Sequence, residues 1–332
     1  MRAVVVSEPG DPDVLTVAEV PEPVPGPGEL LVAVGAAGVN RADLLQRAGH
    51  YAPPAGAPAW PGLEVAGEVL AVGPGTTAAE PSAGSPWQVG DRVAALLPGG
   101  GYAERVVVPV ELALRVPDGL STLEAASLPE ALATVLSNLR VAHAVAGETV
   151  LVRGGSGGVG SVAVPLARAL GLRVLATAGG PDRVERVRAL GAHAVLDHRS
   201  DDLVARVLAE TDGRGVDVVL DVLGAGALAD NLAMLADDGR LVVIGLQRGR
   251  RAELDLGLLM AKRATVVGTM LRSRPAAQKA AIMADVRAHA WPLVAEGTVR
   301  PVVHATYSFA EAASAHRELE SGAVLGKVLL VP

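Results

Sequence analysis

The chain contains no cysteine. That absence excludes disulfide bonds, thiol nucleophiles and thiolate metal ligands together. Aromatic residues make up only 2%, with one Phe, three Trp and three Tyr, so the core must be built from Val, Leu and Ala. Lysine occurs only at Lys262, Lys279 and Lys327, which makes each one informative. Positive charge is in deficit, 29 Lys and Arg against 36 Asp and Glu, for a net charge of −7. Nucleic-acid binding, which usually shows a basic face, is disfavoured. No apolar run reaches the roughly 18 residues of a membrane span. Met1 to Glu8 reads as a strand and not as a signal peptide. A cytoplasmic enzyme is expected.

What the chain does have is glycine, 39 residues of it. The apolar stretch Thr149–Val152 runs into glycines, and the glycines run into a helix-like stretch from Ser161 to Leu170. Strand, tight turn, helix is the context in which a Gly-rich loop binds a dinucleotide pyrophosphate. Gly155, Gly157 and Gly160 fit G-x-G-x-x-G, with Ser156, Gly158 and Val159 between them. The three glycines are expected to supply a positive φ, a close backbone approach to phosphate, and close helix–strand packing. The helix N-terminus adds free N–H groups and a positive dipole end.

Residues 1 to about 120 read as short strands with Pro/Gly punctuation, among them Ala3–Val6, Leu30–Ala36, Val65–Val72, Arg92–Leu97 and Ala103–Pro109. A small, partly open β-barrel is expected. Residues 76–86 have no periodicity and read as a loop. From about 123 to 267, strands alternate with amphipathic helices, which implies a doubly wound parallel sheet. Beyond Arg272 a long helix-like segment runs to about Gly297. Two strands follow, at Val302–Tyr307 and Gly326–Val331. With no crossover between them they fit poorly in the parallel sheet and are expected to rejoin the first domain. Pro165, inside the helix after the glycine loop, is expected to kink it.

The second strand of the βαβ unit ends at Gly179 and Gly180. A carboxylate there would bind the ribose hydroxyls of NAD; none is present. Arg183 follows in the next helix, and His198 and Arg199 close the next strand. Basic groups without a carboxylate favour the 2′-phosphate of NADPH. The rival reading is a solvated helix face, which Asp182 beside Arg183 supports. His193 and His198, five residues apart, fall on opposite faces of a strand, and the seven histidines are read as scattered surface residues and not as a metal site.

Gly38–Leu44, the His50–Tyr51 loop, Pro61–Val69, Gly90–Val93 and Gly326–Val328 together resemble the medium-chain dehydrogenase/reductase superfamily over nearly the whole chain. Its zinc members carry Cys where this chain has Asn40 and His where it has Leu63. The cysteine-rich structural zinc lobe is missing after Val93. The chain therefore resembles the zinc-free quinone oxidoreductase (zeta-crystallin-like) branch. Leu96–Tyr102, Leu128–Ala131 and Leu271–Arg274 are most similar to the p53-inducible quinone oxidoreductase subgroup. Two departures stand out: the 76–86 loop is about seven residues longer than expected for the family, and Pro165 replaces the usual Gln.

The resemblance implies an α/β fold: a GroES-like β-barrel catalytic domain from 1–122 and 268–332, and a Rossmann domain from 123–267, with the cofactor between them. It implies hydride transfer from NADPH, without metal, to a small quinone or similarly activated enone. A 2-enoyl-thioester reductase and a cofactor-binding protein with little turnover are the alternatives. Asn40 and Tyr51 are the catalytic candidates, as donors to the acceptor oxygen; a turn residue and a packed tyrosine are the rival readings. Thr134, Leu246 and Met270 are expected at the nicotinamide. Lys327 is expected to reach the cofactor, with a surface lysine as its rival. A homodimer is expected.

Overall fold

The computed structural model describes residues 1–76, 86–199 and 202–332. The loop expected at 76–86 therefore lies outside the described residues, apart from Thr76 and Pro86. The chain divides into two compact units: Met1–Ala133 with Leu271–Gly297 and Pro301–Pro332, and Thr134–Met270 with Thr298–Arg300. The limits read from the sequence, 122/123 and 267/268, compare with 133/134 and 270/271 in this division.

In the first unit one sheet runs Val303–Ser308, Lys327–Val331, Glu29–Val39, Glu64–Val72, Arg92–Leu96, Ala113–Arg115, with Arg105–Pro109 also paired to Glu29–Val39. A separate hairpin pairs Arg2–Val6 with Leu15–Glu19. Along Glu29–Val39 the residues Leu30, Val32 and Val34 alternate into the core, the period-two pattern of a half-buried strand. Pairing with Glu64–Val72 shifts register twice. A Cβ on Gly67 would collide with the Ala33 carbonyl oxygen. Bulges and a bare glycine let a sheet bend sharply.

The two terminal strands correct the reading that they lack a crossover. They pair in parallel, and the helix Ala312–Glu320 links them. Ser308 and Glu311 form a capping box just ahead of that helix, a signal that was present in the sequence. The segment after Arg272 is helical in three consecutive pieces, Ala276–Asp285, a π-helical turn Val286–Ala290, and Trp291–Ala295.

The second unit is a six-stranded, all-parallel sheet. Its order is Ala194–Asp197, Arg173–Ala178, Thr149–Val152, Val216–Asp221, Leu235–Val243, Thr265–Gly268. Counted within the unit this is 3-2-1-4-5-6, the doubly wound order with its switch point between the strands at 149–152 and 216–221. All residues of Val216–Asp221 are buried, as a strand covered on both faces requires. The helix Gly158–Ala169 runs through Pro165 without a break. Among the described residues no helix is long and apolar enough to cross a membrane.

Candidate active site

In the second unit the site residues gather at the carboxyl ends of the parallel strands, where such sheets bind ligands. The glycine loop leaves Thr149–Val152 and is stitched to the neighbouring strand: Gly154 N–H donates to Thr177 Oγ1 (3.0 Å) and Gly155 N–H to the Thr177 carbonyl (2.8 Å). The division of labour among the glycines differs from the expected one. The positive φ, +78°, belongs to Gly154, and none of Gly155, Gly157 and Gly160 has one. A Cβ on Gly155 would stand 2.9 Å from Val187 and 3.0 Å from Ala176. One on Gly160 would collide with Gly154. Both therefore serve packing. Around Gly157, at the start of the helix Gly158–Ala169, the nearest atom to a Cβ is 3.6 Å away. This is the glycine whose backbone stands open, next to the N–H groups of Gly158, Val159 and Gly160 in the first turn, which a helix leaves without an internal partner.

Beyond the second strand, Arg183 Nε donates to the Gly179 carbonyl (2.7 Å). His198 and Arg199 crowd the same glycine: a Cβ on Gly179 would lie 2.8 Å from Arg199 Nε and 3.0 Å from His198 Nε2. Gly180 takes φ +87° and is tied to Asp197 Oδ1 by its N–H (3.0 Å). Burial, with Arg248 and Arg199 nearby, lowers the His198 pKa. Arg183, His198 and Arg199 thus converge on one corner. At the other end of the sheet, Thr269 Oγ1 donates to Asn138 Oδ1 (2.5 Å), and Asn138 Nδ2 donates to the Thr134 carbonyl (2.6 Å). Leu246 and Met270, each just past a strand end, expose about half their surface.

In the first unit Lys327 is buried. Its ammonium lies 2.6 Å from Glu64 Oε1 and donates to Asn40 Oδ1 at 2.6 Å, with Glu130 Oε2 at 4.0 Å. Asn40 Nδ2 donates to Glu64 Oε1 (2.9 Å) and to the Gly38 carbonyl (3.3 Å). Glu64 Oε2 accepts from the Glu130 N–H (2.9 Å). A Cβ on Gly38 would stand 2.7 Å from Glu64 Cδ, so that glycine makes room for the carboxylate. Burial alone would lower the Lys327 pKa, but Glu64 and Glu130 hold it above the ordinary value.

Asp43, fully buried, fixes this segment. It accepts from the N–H groups of Asn40 (2.8 Å) and Gly62 (2.9 Å) and from the Tyr102 hydroxyl (3.2 Å). Tyr102 meets His316 Nε2 (3.3 Å), His316 Nδ1 meets Arg47 (3.3 Å), and Arg47 bonds Glu320 (2.6 Å). Arginine only donates, so Nδ1 must accept. The neutral ring then carries its proton on Nε2 and donates to Tyr102, which donates to Asp43. Burial first, then Arg47, holds the His316 pKa down to about 3. Burial holds the Asp43 pKa up to about 6, against the bonds it accepts. A fully buried His316 corrects the reading of all seven histidines as surface residues.

Tyr51 is half-buried, with the Arg272 guanidinium 5.3 Å from its ring centroid. Burial raises its pKa, Arg272 opposes and Glu130 adds to the rise. Tyr51 therefore lies within electrostatic reach of the same Glu130 that faces Lys327. Sequence reasoning missed Glu64, Asp43, Tyr102 and Arg272 as site residues; the family resemblance at Asn40 and Lys327 and the rarity of lysine pointed here.

The residues do not suit zinc. The chain has no cysteine, Leu63 is apolar and buried, and an ammonium already sits on Asn40 and Glu64. Among the described residues no group of three or more His, Cys, Asp or Glu could hold a metal.

Residues 26–118 match the family model described as alcohol dehydrogenase GroES-like domain, and residues 158–285 the one described as zinc-binding dehydrogenase. A quinone oxidoreductase of Rattus norvegicus is 33% identical over 335 residues, covering 100% of this chain and 98% of its own. A mycocerosic acid synthase-like polyketide synthase of Mycobacterium tuberculosis is 37% identical over 98% of this chain, but the chain spans only 15% of its length. The structure of Escherichia coli quinone oxidoreductase complexed with NADPH superposes with a TM-score of 0.85 at 29% identity, covering 100% of both chains.

Proposed function

The chain belongs to the quinone oxidoreductase-type medium-chain dehydrogenase/reductases, and from that premise we propose that it is an NADPH-dependent, zinc-independent reductase of small quinones and similarly activated enones. One observation carries the reading. An open glycine turn lies at the switch point of a 3-2-1-4-5-6 sheet, with Arg183, His198 and Arg199 converging at the end of the second strand. Bound NADPH supplies a hydride. Gly157 and the N–H groups of Gly158, Val159 and Gly160 bind the pyrophosphate. Arg183, His198 and Arg199 bind the 2′-phosphate by charge-assisted bonds. Thr134, Leu246 and Met270 line the nicotinamide and exclude water. Tyr51 orients the acceptor oxygen. Asn40, whose carboxamide is engaged by Gly38, Glu64 and Lys327, keeps that buried cation in place. Without a Lewis acid, a neutral donor contributes about 2.7–4 kcal/mol to an oxyanion. That suffices for a quinone, whose reduced oxygen is delocalised into a ring, and falls short for an unactivated carbonyl.

The segment shared with a polyketide synthase favours a second reading, 2-enoyl-thioester reduction by the same hydride. Following NADPH consumption optically with a small ortho-quinone and with a crotonyl thioester separates the two. We expect the quinone to be faster; a thioester faster by tenfold or more replaces the first reading with the second. Activity should survive chelation. Arg183→Ala should cut the NADPH over NADH preference by roughly tenfold to a hundredfold, since a charge-assisted bond is worth about 1.5–3 kcal/mol. An equal loss with both cofactors would make Arg183 structural.

A further inference from the structure

Arg272 is a guanidinium that the fold removes from water without using all of its donors. It is 5% exposed. Nε donates to the Pro98 carbonyl (2.7 Å) and Nη2 to Gln46 Oε1 (2.7 Å). Gln46 is itself held by its Nε2 on the Ala59 carbonyl (2.7 Å), so the fork is fixed from two sides. A Cβ on Gly99 would stand 3.1 Å from Nη2, and the bare glycine clears that approach. Nη1 is buried with no hydrogen-bond partner among the described residues. Buried charged donors are rarely left so, and each calls for an explanation, a bound ion or water among them.

The surroundings say which kind. The buried Lys279 ammonium donates to the main-chain oxygen of Arg272 (3.3 Å), bringing a second cation. The carboxylate in electrostatic reach is Asp43, and its oxygens already accept from Asn40, Gly62 and Tyr102. Two cations stand here with the engaged carboxylate of Asp43, beside the ring of Tyr51, and the second carboxylate in reach of that ring, Glu130, faces the Lys327 ammonium. Nη1 is the donor left over, and a guanidinium, planar and weakly hydrated, suits a delocalised anion.

We propose that Arg272 Nη1 is the donor for an aryl oxyanion, a phenolate-type oxygen bound beside Tyr51. The choice of ligand class rests on the quinone reading: a quinone that takes up one hydride is a hydroquinone monoanion until a solvent proton neutralises it. Binding itself needs no turnover, so it is testable without cofactor.

The probe is 4-nitrophenol, titrated by its absorbance with and without the full chain. Bound probe should ionise about one pH unit lower than free probe, a tenfold preference for the phenolate. Arg272→Met should abolish that shift. Where Arg272→Met does not fold, Arg272→Gln, which keeps neutral donors near Pro98 and Gln46, carries the test: the shift must vanish with the charge. Wild-type protein that binds the probe without lowering its ionisation overturns the proposal, and so does a shift that survives in either variant. Turnover of quinones with no shift overturns the oxyanion site alone; a shift with no quinone turnover overturns the quinone reading alone.

Discussion

Lys327 and Glu64 are both buried, 4% and 0% exposed in their side chains, and 2.6 Å apart. Each charge tolerates burial only because the other is there. Removing one partner leaves an uncompensated buried charge, which costs about 3–5 kcal/mol. Lys327→Met should lose that much in urea unfolding. Adding Glu64→Gln, which removes the stranded charge but keeps an acceptor for the Glu130 N–H, should recover at least about half. A double variant as unstable as the two singles summed would show that the pair is not coupled. His316 gives a pH dependence of definite sign. Folded, it ionises at about 3; unfolded, at roughly 6.5. Between those values the unfolded chain binds the extra proton, so this group contributes stability above pH 6.5 that is lost as pH falls toward 3. Asp43 works oppositely. Its folded pKa of about 6 lies above the unfolded value, so its contribution is lost as pH rises from about 4 to 6. Comparing wild type with His316→Phe isolates the histidine: the variant should gain about 3 kcal/mol on wild type between pH 7 and pH 4. A stability difference that does not change with pH would mean His316 is not held neutral.

The glycine loop makes its prediction at the scale of the element, because neighbouring glycines do unlike work. Gly160→Ala forces a Cβ into Gly154 and Gly155 and should lower stability by about 1–3 kcal/mol, the range for overpacking. Gly157→Ala meets nothing closer than 3.6 Å. It should melt like wild type yet bind NADPH roughly tenfold more weakly, about 1.4 kcal/mol. Calorimetric melting with NADPH titration checks both, and an equal effect of the two substitutions on either quantity would refute the division. The alternation of strand and helix from Thr149 to Gly268 was legible because its strands are rich in Val, Leu and Ala and its helices amphipathic. Two helices escaped notice: Arg41–Arg47 and Ala312–Glu320. Both are short, though each start is marked by a capping box, Asn40 with Asp43 and Ser308 with Glu311. The positive φ at Gly154 was misassigned because a motif fixes spacing and not dihedrals. The chain from Arg47 through His316 and Tyr102 to Asp43 could not be read at all. Its members meet only because Lys327–Val331 pairs with Glu29–Val39 and the helix Ala312–Glu320 packs alongside. Lys327 drew notice by its rarity, but its partner Glu64 meets it only through a second register, that of Glu64–Val72 with Glu29–Val39.

At the scale of the whole molecule, the second unit's sheet ends on Thr265–Gly268, which among the described residues has a strand neighbour on one side only. An edge strand offers a row of unpaired N–H and C=O groups, and natural proteins cover or blunt such edges. This one carries little to blunt it. Its residues Thr265, Val266 and Gly268 are exposed, and the helix before it, Leu256–Ala261, buries none of its residues. Leu256 and Met260 expose 61% and 76% of their surface. Apolar side chains beside an open strand match an interface that is self-complementary about a two-fold axis, where the same strand from a second copy pairs antiparallel and buries both sets of side chains. We therefore expect a homodimer, with light scattering at micromolar concentration giving twice the 33.6 kDa of one chain. Val266→Pro removes a backbone donor from the edge strand, and Met260→Glu places charge on the apolar patch. Either should shift the mass toward one chain while leaving the melting of the first unit in place. A wild-type mass of one chain at that concentration would refute the pairing. A dimer indifferent to both substitutions would put the two-fold axis on another surface.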